Sequence, residues 1–169
     1  MFSRKKVVSK YELVEPSILE IENLNLNYNL DDGGVWMKLK ALRSFGDVKK
    51  GDFGGYVKNT FLSQSGLSWI EKGCKVENCF VGDNAIIKGE SIVVGAILRD
   101  NAIIDASNIS ALGTSKKIIL LCNNSKIVQC SDINVMDSLE MYDNASISNI
   151  NFMNIDYCDI SGDSEITIK

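Results

Sequence analysis

The chain reads as an all-β parallel solenoid closed at its start by a β-hairpin, and two features carry that reading. From about residue 47 the sequence turns into short Ile and Val runs punctuated by Gly, Asn, Asp and Ser, and no stretch beyond Gly51 keeps a 3.6-residue apolar period over three turns. Within that region one short unit recurs at Ile70–Val76, Val81–Ile87, Leu98–Ile104, Leu121–Ile127, Met141–Ile147 and Ile160–Ile166. Each copy has an apolar residue, a polar turn ending in Asn, Asp or Gly, a small residue, a variable residue and a second apolar residue.

The composition of the unit has a physical reason. Outer apolar residues point into a narrow interior, Gly, Asp and Asn tolerate a sharp corner, and only Ala, Ser or Cys fits where backbones approach closely. The small residues Ala85, Ala102, Ser125, Ala145 and Ser164 are spaced by 17, 23, 20 and 19 residues, and Cys74 takes that position in the first copy. A triangular coil of three six-residue sides returns every ~18 residues, so about five coils stack between Ile70 and the C-terminus, with 23 marking a corner insertion. A globular sandwich of short strands is the alternative.

In chain order, residues 1–10 form a basic flexible tail with Arg4, Lys5, Lys6 and Lys10 and no acid. Residues 11–46 form the capping hairpin. Leu24, Leu26, Tyr28 and Leu30 alternate with asparagines, Val35, Met37, Leu39 and Ala41 alternate after the turn Asp31-Asp32-Gly33-Gly34, and the glycines permit positive φ there. Residues 47–169 form the solenoid.

The 169 residues are 45% apolar and 24% charged, enough for one ordinary core, and 18 Lys and Arg against 22 Asp and Glu leave a net charge of -4. Nucleic acid is therefore not an expected partner. The chain has no histidine, which removes imidazole bases, histidine-ligated metals and histidine pH switches. Its five cysteines are odd in number, without a CxxC pair, and no apolar run reaches a membrane span. A reducing, cytoplasmic setting with buried thiols and no membrane contact is the expectation.

The stretch Lys38-Leu-Lys-Ala-Leu-Arg43-Ser-Phe-Gly-Asp47-Val-Lys-Lys-Gly51-Asp-Phe-Gly-Gly55-Tyr-Val57, followed by Leu62-Ser-Gln64-Ser-Gly66 and Trp69–Val76, resembles the hexapeptide-repeat proteins of the YdcK-like group, found in bacteria, their phages and prophages. The segment Gly51–Val57 matches a signature of several glycines and one acid in fixed order. The resemblance spans residues 11–169 and implies a left-handed single-stranded β-helix, which the periodicity does not show. It also implies kinship in fold with acyltransferases that act as trimers, bind an acyl-thioester between subunits and use a histidine base. No residue here matches that histidine, so the resemblance supplies a fold without its chemistry.

The expected function is non-catalytic: an interaction or scaffold protein that self-associates, with a trimer implied by the resemblance, an unidentified protein partner allowed for, and no cofactor, metal or catalytic residue. The rival is an acyltransferase-like enzyme, or a binder of a nucleotide or acyl-thioester as small ligand, with Asp52, Asp100 or Asp105 replacing histidine as base. Candidate ligand or interface residues are Arg43, Asp52, Gly54, Gly55, Tyr56, Arg99 and Asp100. Gly51, Asp52, Gly54 and Gly55 would make an anion nest or, more simply, the first coil's turn, with Asp52 satisfying backbone donors. Asp83, Asp100, Asp143 and Asp163 recur at one corner, as Asx turns or as a carboxylate column for Ca²⁺.

Overall fold

The computed structural model describes residues 8–26, 34–105, 108–111, 118–129, 131–149 and 151–167. The chain opens with β1 (Tyr11–Val14), a short helix α1 (Ile18–Asn23), β2 (Met37–Ala41) and β3 (Phe53–Lys58). From β3 onward it circulates. β4 (Phe61–Leu62) and β5 (Trp69–Ile70) complete the first coil, and β6 (Lys75–Glu77), β7 (Phe80–Val81) and β8 (Ile86–Lys88) make the second. The third coil is β9 (Ile92–Val94), β10 (Ala96–Leu98) and β11 (Ile103–Asp105), and the fourth is β12 (Asn108–Ala111), β13 (Ile118–Leu121) and β14 (Lys126–Val128). In the last two, β15 (Ser131–Met141) and β17 (Asn151–Ile160) each run round a corner to supply two sides, and β16 (Ser146–Ser148) and β18 (Glu165–Thr167) supply the third.

Strands of successive coils pair in parallel on all three sides. The first face runs β3-β6-β9-β12-β15-β17, the second β4-β7-β10-β13 and on into β15 and β17, the third β5-β8-β11-β14-β16-β18. On the third face Trp69 pairs with Ile86, Ile86 with Ile103, Ile103 with Lys126, Lys126 with Ser146 and Ser146 with Glu165. The last three steps repeat the 23, 20 and 19 read from the small residues. The long step enters between β12 and β13, while β13 still pairs with β10 and β15 in unbroken parallel register. The irregular residues 112–117 after Ala111 lie outside the described residues, and the ladders on either side of them are untouched.

Inside, the columns are apolar from coil to coil. Ile70, Ile87, Ile104, Ile127 and Ile147 stack with no exposure, as do Leu98 and Leu121 beneath Leu62 and Val81. Burying each such side chain is worth about 1.5–3 kcal/mol. At the corner leading to the third face the small column is Ser68, Ala85, Ala102, Ser125 and Ala145, all buried. Ser125 Oγ has no hydrogen-bond partner among the described residues, and it sits between alanines. Ser125→Ala is expected to raise stability by about 1 kcal/mol in thermal or urea unfolding, because an unsatisfied buried hydroxyl is removed without changing the packing; a destabilised variant would contradict this.

The same corner is tied by two side-chain ladders. Asp83, Asp100, Asn123 and Asp143 all take positive φ, between 51° and 57°. The Asp83 carboxylate accepts the Asp100 N–H at 3.1 Å, Asp100 accepts from Asn123 N–H at 2.9 Å and Asp143 from Gly162 N–H at 3.2 Å. Beside them Asn84, Asn101, Asn124 and Asn144 each donate an amide N–H to the next, and Asn144 donates to Asp163 at 2.8 Å. Two sequence assignments shift by this geometry. Asp163 ends the asparagine ladder and is not in the Asp83 column. Cys74 lies one corner further along, where Tyr56 N–H donates to its carbonyl and Lys75 N–H to that of Ser91; the true neighbour of Ala85 in the first coil is Ser68, whose following residue Trp69 donates to the Ala85 carbonyl.

The cap is antiparallel, but its partners differ from the expected hairpin. β2 pairs with β1 on one side and with β3 on the other. Of the expected first arm, Leu24 is the C-cap of α1 and Leu26 is buried; Tyr28, Leu30 and the turn residues 31–33 lie outside the described residues. Ahead of that arm the chain is helical because Ser17 and Glu20 form a capping box, the Ser17 hydroxyl accepting the Glu20 N–H and the Glu20 carboxylate accepting the Ser17 N–H. Lys10, read from sequence as the end of a flexible tail, is fully buried as a plug on the first coil; residues 1–7 lie outside the described residues.

Candidate functional site

The sequence-derived candidates separate into four places. At the top of the first coil, Asp52 ends a tight loop in which Phe45 and Val48 exchange backbone hydrogen bonds. Its carboxylate accepts the Lys49 N–H at 2.8 Å, the turn-forming role expected for it. Gly51 has φ +95° and open space around its Cα. Gly54 and Gly55 are buried against backbone: a Cβ on Gly54 would stand 2.6 Å from the Ile70 carbonyl oxygen, and one on Gly55 2.7 Å from that of Cys74. The paired glycines let β3 seat on the first corner.

Tyr56 belongs to the clamp that fastens α1. It is 5% exposed and its hydroxyl donates to Glu20 at 2.7 Å. Lys38 also donates to Glu20, with its ammonium 4.5 Å from the centre of the Phe53 ring. Lys38, then Tyr56, then the Ser17 N–H hold the Glu20 carboxyl down at about 2, while burial followed by Glu20 pushes the Tyr56 phenol well above its ordinary range. Lys75 donates to the Leu24 carbonyl at the helix C-terminus, where a cation is favoured.

Arg43 and Lys10 flank Phe45 at the solenoid's upper end, the guanidinium 5.8 Å and the ammonium 5.2 Å from the ring centre. Lys10 Nζ donates to the Ser65 carbonyl at 3.2 Å and to the Ser68 carbonyl and hydroxyl at 2.9 Å each. Burial, assisted by the Arg43 charge, pulls its pKa down to about 8.

Arg99 and Asp100 lie at the corner between the second and third faces. The Asp100 carboxylate is a ladder acceptor, and the Arg99 guanidinium lies 5.4 Å from the centre of the Phe80 ring. Asp105 pairs with Lys88 at 3.1 Å on the third face. Burial pushes the thiols of Cys74 and Cys79 up to about 11, as expected of inert cysteines. Among the described residues, no group of three or more His, Cys, Asp or Glu is placed to hold a metal, and no helix is long and apolar enough to cross a membrane.

Beside Arg99 the structure assembles a surface that the sequence reading passed over. On the outer side of the second face Phe61 pairs with Phe80, Phe80 with Ile97 and Ile97 with Leu120, and the column continues through Glu140 to Asp159. Phe61 is 56% exposed and stacks on Phe80 with ring centres 5.1 Å apart. The signal was present one residue before each unit: Phe80, Ile97 and Leu120 precede the inward Val81, Leu98 and Leu121.

No protein-family model matches the chain, and no curated protein matches it. The fold and its parallel register define a parallel β-solenoid protein, and the class ends there.

Proposed function

We propose that the chain is a non-catalytic interaction or scaffold protein that self-associates through its second face. The observation that carries this is the outward column Phe61, Phe80, Ile97 and Leu120, a continuous apolar stripe over the first four coils. The carboxylates offered as bases support the same reading, since Asp52 and Asp100 accept backbone N–H groups and Asp105 meets a lysine. The second copy is the favoured occupant because a two-fold arrangement sets Phe61 against Leu120 and Phe80 against Ile97. It leaves the acidic lower coils, where residues 131–169 carry eight Asp and Glu against one Lys, projecting past each other in opposite directions.

The trimer implied by the resemblance would place a corner at its axis, whereas a flat stripe suits a face-to-face pair. Four strands about 4.8 Å apart and about four residues wide give on the order of 300 Å² per copy, well below the ~800 Å² of a standard interface. Association is accordingly weak and concentration-dependent. The left-handed coil and a phage or prophage origin are carried from the resemblance alone, and a cytoplasmic setting from the odd number of cysteines without a CxxC pair.

Ile97→Lys is expected to weaken self-association at least ~10-fold, about 1.4 kcal/mol, in sedimentation equilibrium, with the circular dichroism spectrum unchanged. Ile103→Lys, at an outward position of the third face, leaves association intact. Equal effects of the two, or none, would refute the reading.

A further inference from the structure

We propose that a cleft beside Trp69, separate from the association face, binds an ammonium or guanidinium group carried on an aliphatic stem. The cleft exists because the segment 45–53 overhangs the start of the third face. Gly46 turns that loop with φ +49°, the Phe45–Val48 bridge closes it, and the Gly51 N–H fastens it to the Ala41 carbonyl. Trp69, 6% exposed, fills the space beneath with its ring edge-on to Phe45 at 5.4 Å. What remains open is a cleft of about 420 Å³ with a narrower extension of about 150 Å³.

The two parts differ in chemistry. The wider part is walled by Asp47 and Asp52 from the loop and Glu71 from the coil, with Lys72 the single cation of its lining. Carboxylates from both walls make the space electronegative, so it repels phosphate, acyl-thioester and nucleotide ligands and attracts a cation. The extension shares Asp47, Val48, Trp69 and Glu71 with the wider part and adds the apolar Phe45, Leu67 and Ile86. A charged head with a hydrocarbon arm matches the pair of spaces, the arm covering apolar surface while the head stays among carboxylates and water. Arg and Lys side chains and free polyamines share this chemistry.

The chain has two tryptophans, so Trp36→Phe leaves Trp69 as the only emitter, and its fluorescence reads the cleft. Agmatine, spermidine and an acetylated arginine dipeptide amide are the probes, with tetramethylammonium as a cation lacking a stem. The expected result is saturable emission change with at least one stem-bearing probe and none with tetramethylammonium at the same concentrations. Tighter binding of the dipeptide assigns the site to a protein side chain, and tighter binding of agmatine or spermidine assigns it to a free amine. Glu71→Gln and Asp47→Asn each weaken binding about 10-fold, as removal of one charge partner does, while thermal unfolding stays as in the parent. Absence of saturation with every stem-bearing probe, equal binding of tetramethylammonium, or affinities unmoved by both variants would overturn the proposal.

Discussion

Gly55→Ala is expected to destabilise the protein by about 3 kcal/mol, the upper end of what overpacking costs, and to do so without reference to any ligand. The added methyl would stand 2.7 Å from the Cys74 carbonyl oxygen, 2.8 Å from that of Glu71 and 2.8 Å from Cγ2 of Ile70. Two of these atoms are backbone carbonyls already engaged, that of Cys74 by the Tyr56 N–H in the parallel ladder and that of Glu71 by the Cys74 N–H in the turn, so neither can give way without shifting a coil. Gly51→Ala is the informative contrast. There the methyl meets nothing within 4 Å and only the φ of +95° resists it, so the cost is about 1 kcal/mol. Urea unfolding of the two variants separates a structural role for the glycine pair from a binding role, which predicts two folded proteins of equal stability.

The second large effect is a pH dependence centred on Lys10. Its pKa lies near 8 in the folded chain and returns to about 10.5 on unfolding, so between those values the unfolded state holds the extra proton. Stability contributed by this group therefore rises with pH: the penalty of a buried charge is full below pH 8 and is relieved as pH climbs through 8 toward 10.5. Buried thiols act the other way, since the pKa of Cys74 and of Cys79 is raised from 9.0 to about 11 in the fold. Above about pH 9 the unfolded chain gains by ionising them. A comparison with Lys10→Met cancels the thiols. From pH 7 to pH 9 the wild-type protein should gain about 1 kcal/mol relative to the variant, and a difference that stays flat or moves the other way would contradict the plug.

The periodic part of the molecule was legible because a solenoid writes its period into the chain. Ala102, Ser125 and Ala145 had to be small for the same local reason, and their spacings reappear as ladder steps from Ile103 to Lys126 and on to Ser146. The frame was harder to read at Cys74 and Asp163. Gly73 also takes positive φ, +94°, so a turn followed by a small residue occurs at two different corners and does not say which.

The top of the molecule was less legible because it is built from distant partners. Lys10 counts as a solvated charge until Ser65 and Ser68, more than fifty positions away, close over it. Helix α1 is six residues long, too short for an apolar period to show, and only the Ser17 and Glu20 pair marked it. Asp52 and the Gly54-Gly55 pair were read as one candidate group because they are adjacent in sequence. In space the aspartate faces a cleft while the glycines turn into the coil. Glu71 and Asp47, which share that cleft with Asp52, carry no local pattern that joins them.

The claim that function resides in a self-associating face is tested most directly by the mass of the wild-type chain in sedimentation equilibrium from micromolar to millimolar concentration. The account predicts a shift from 18.6 kDa toward twice that mass, reversed on dilution. A single 18.6 kDa species at every concentration would contradict it.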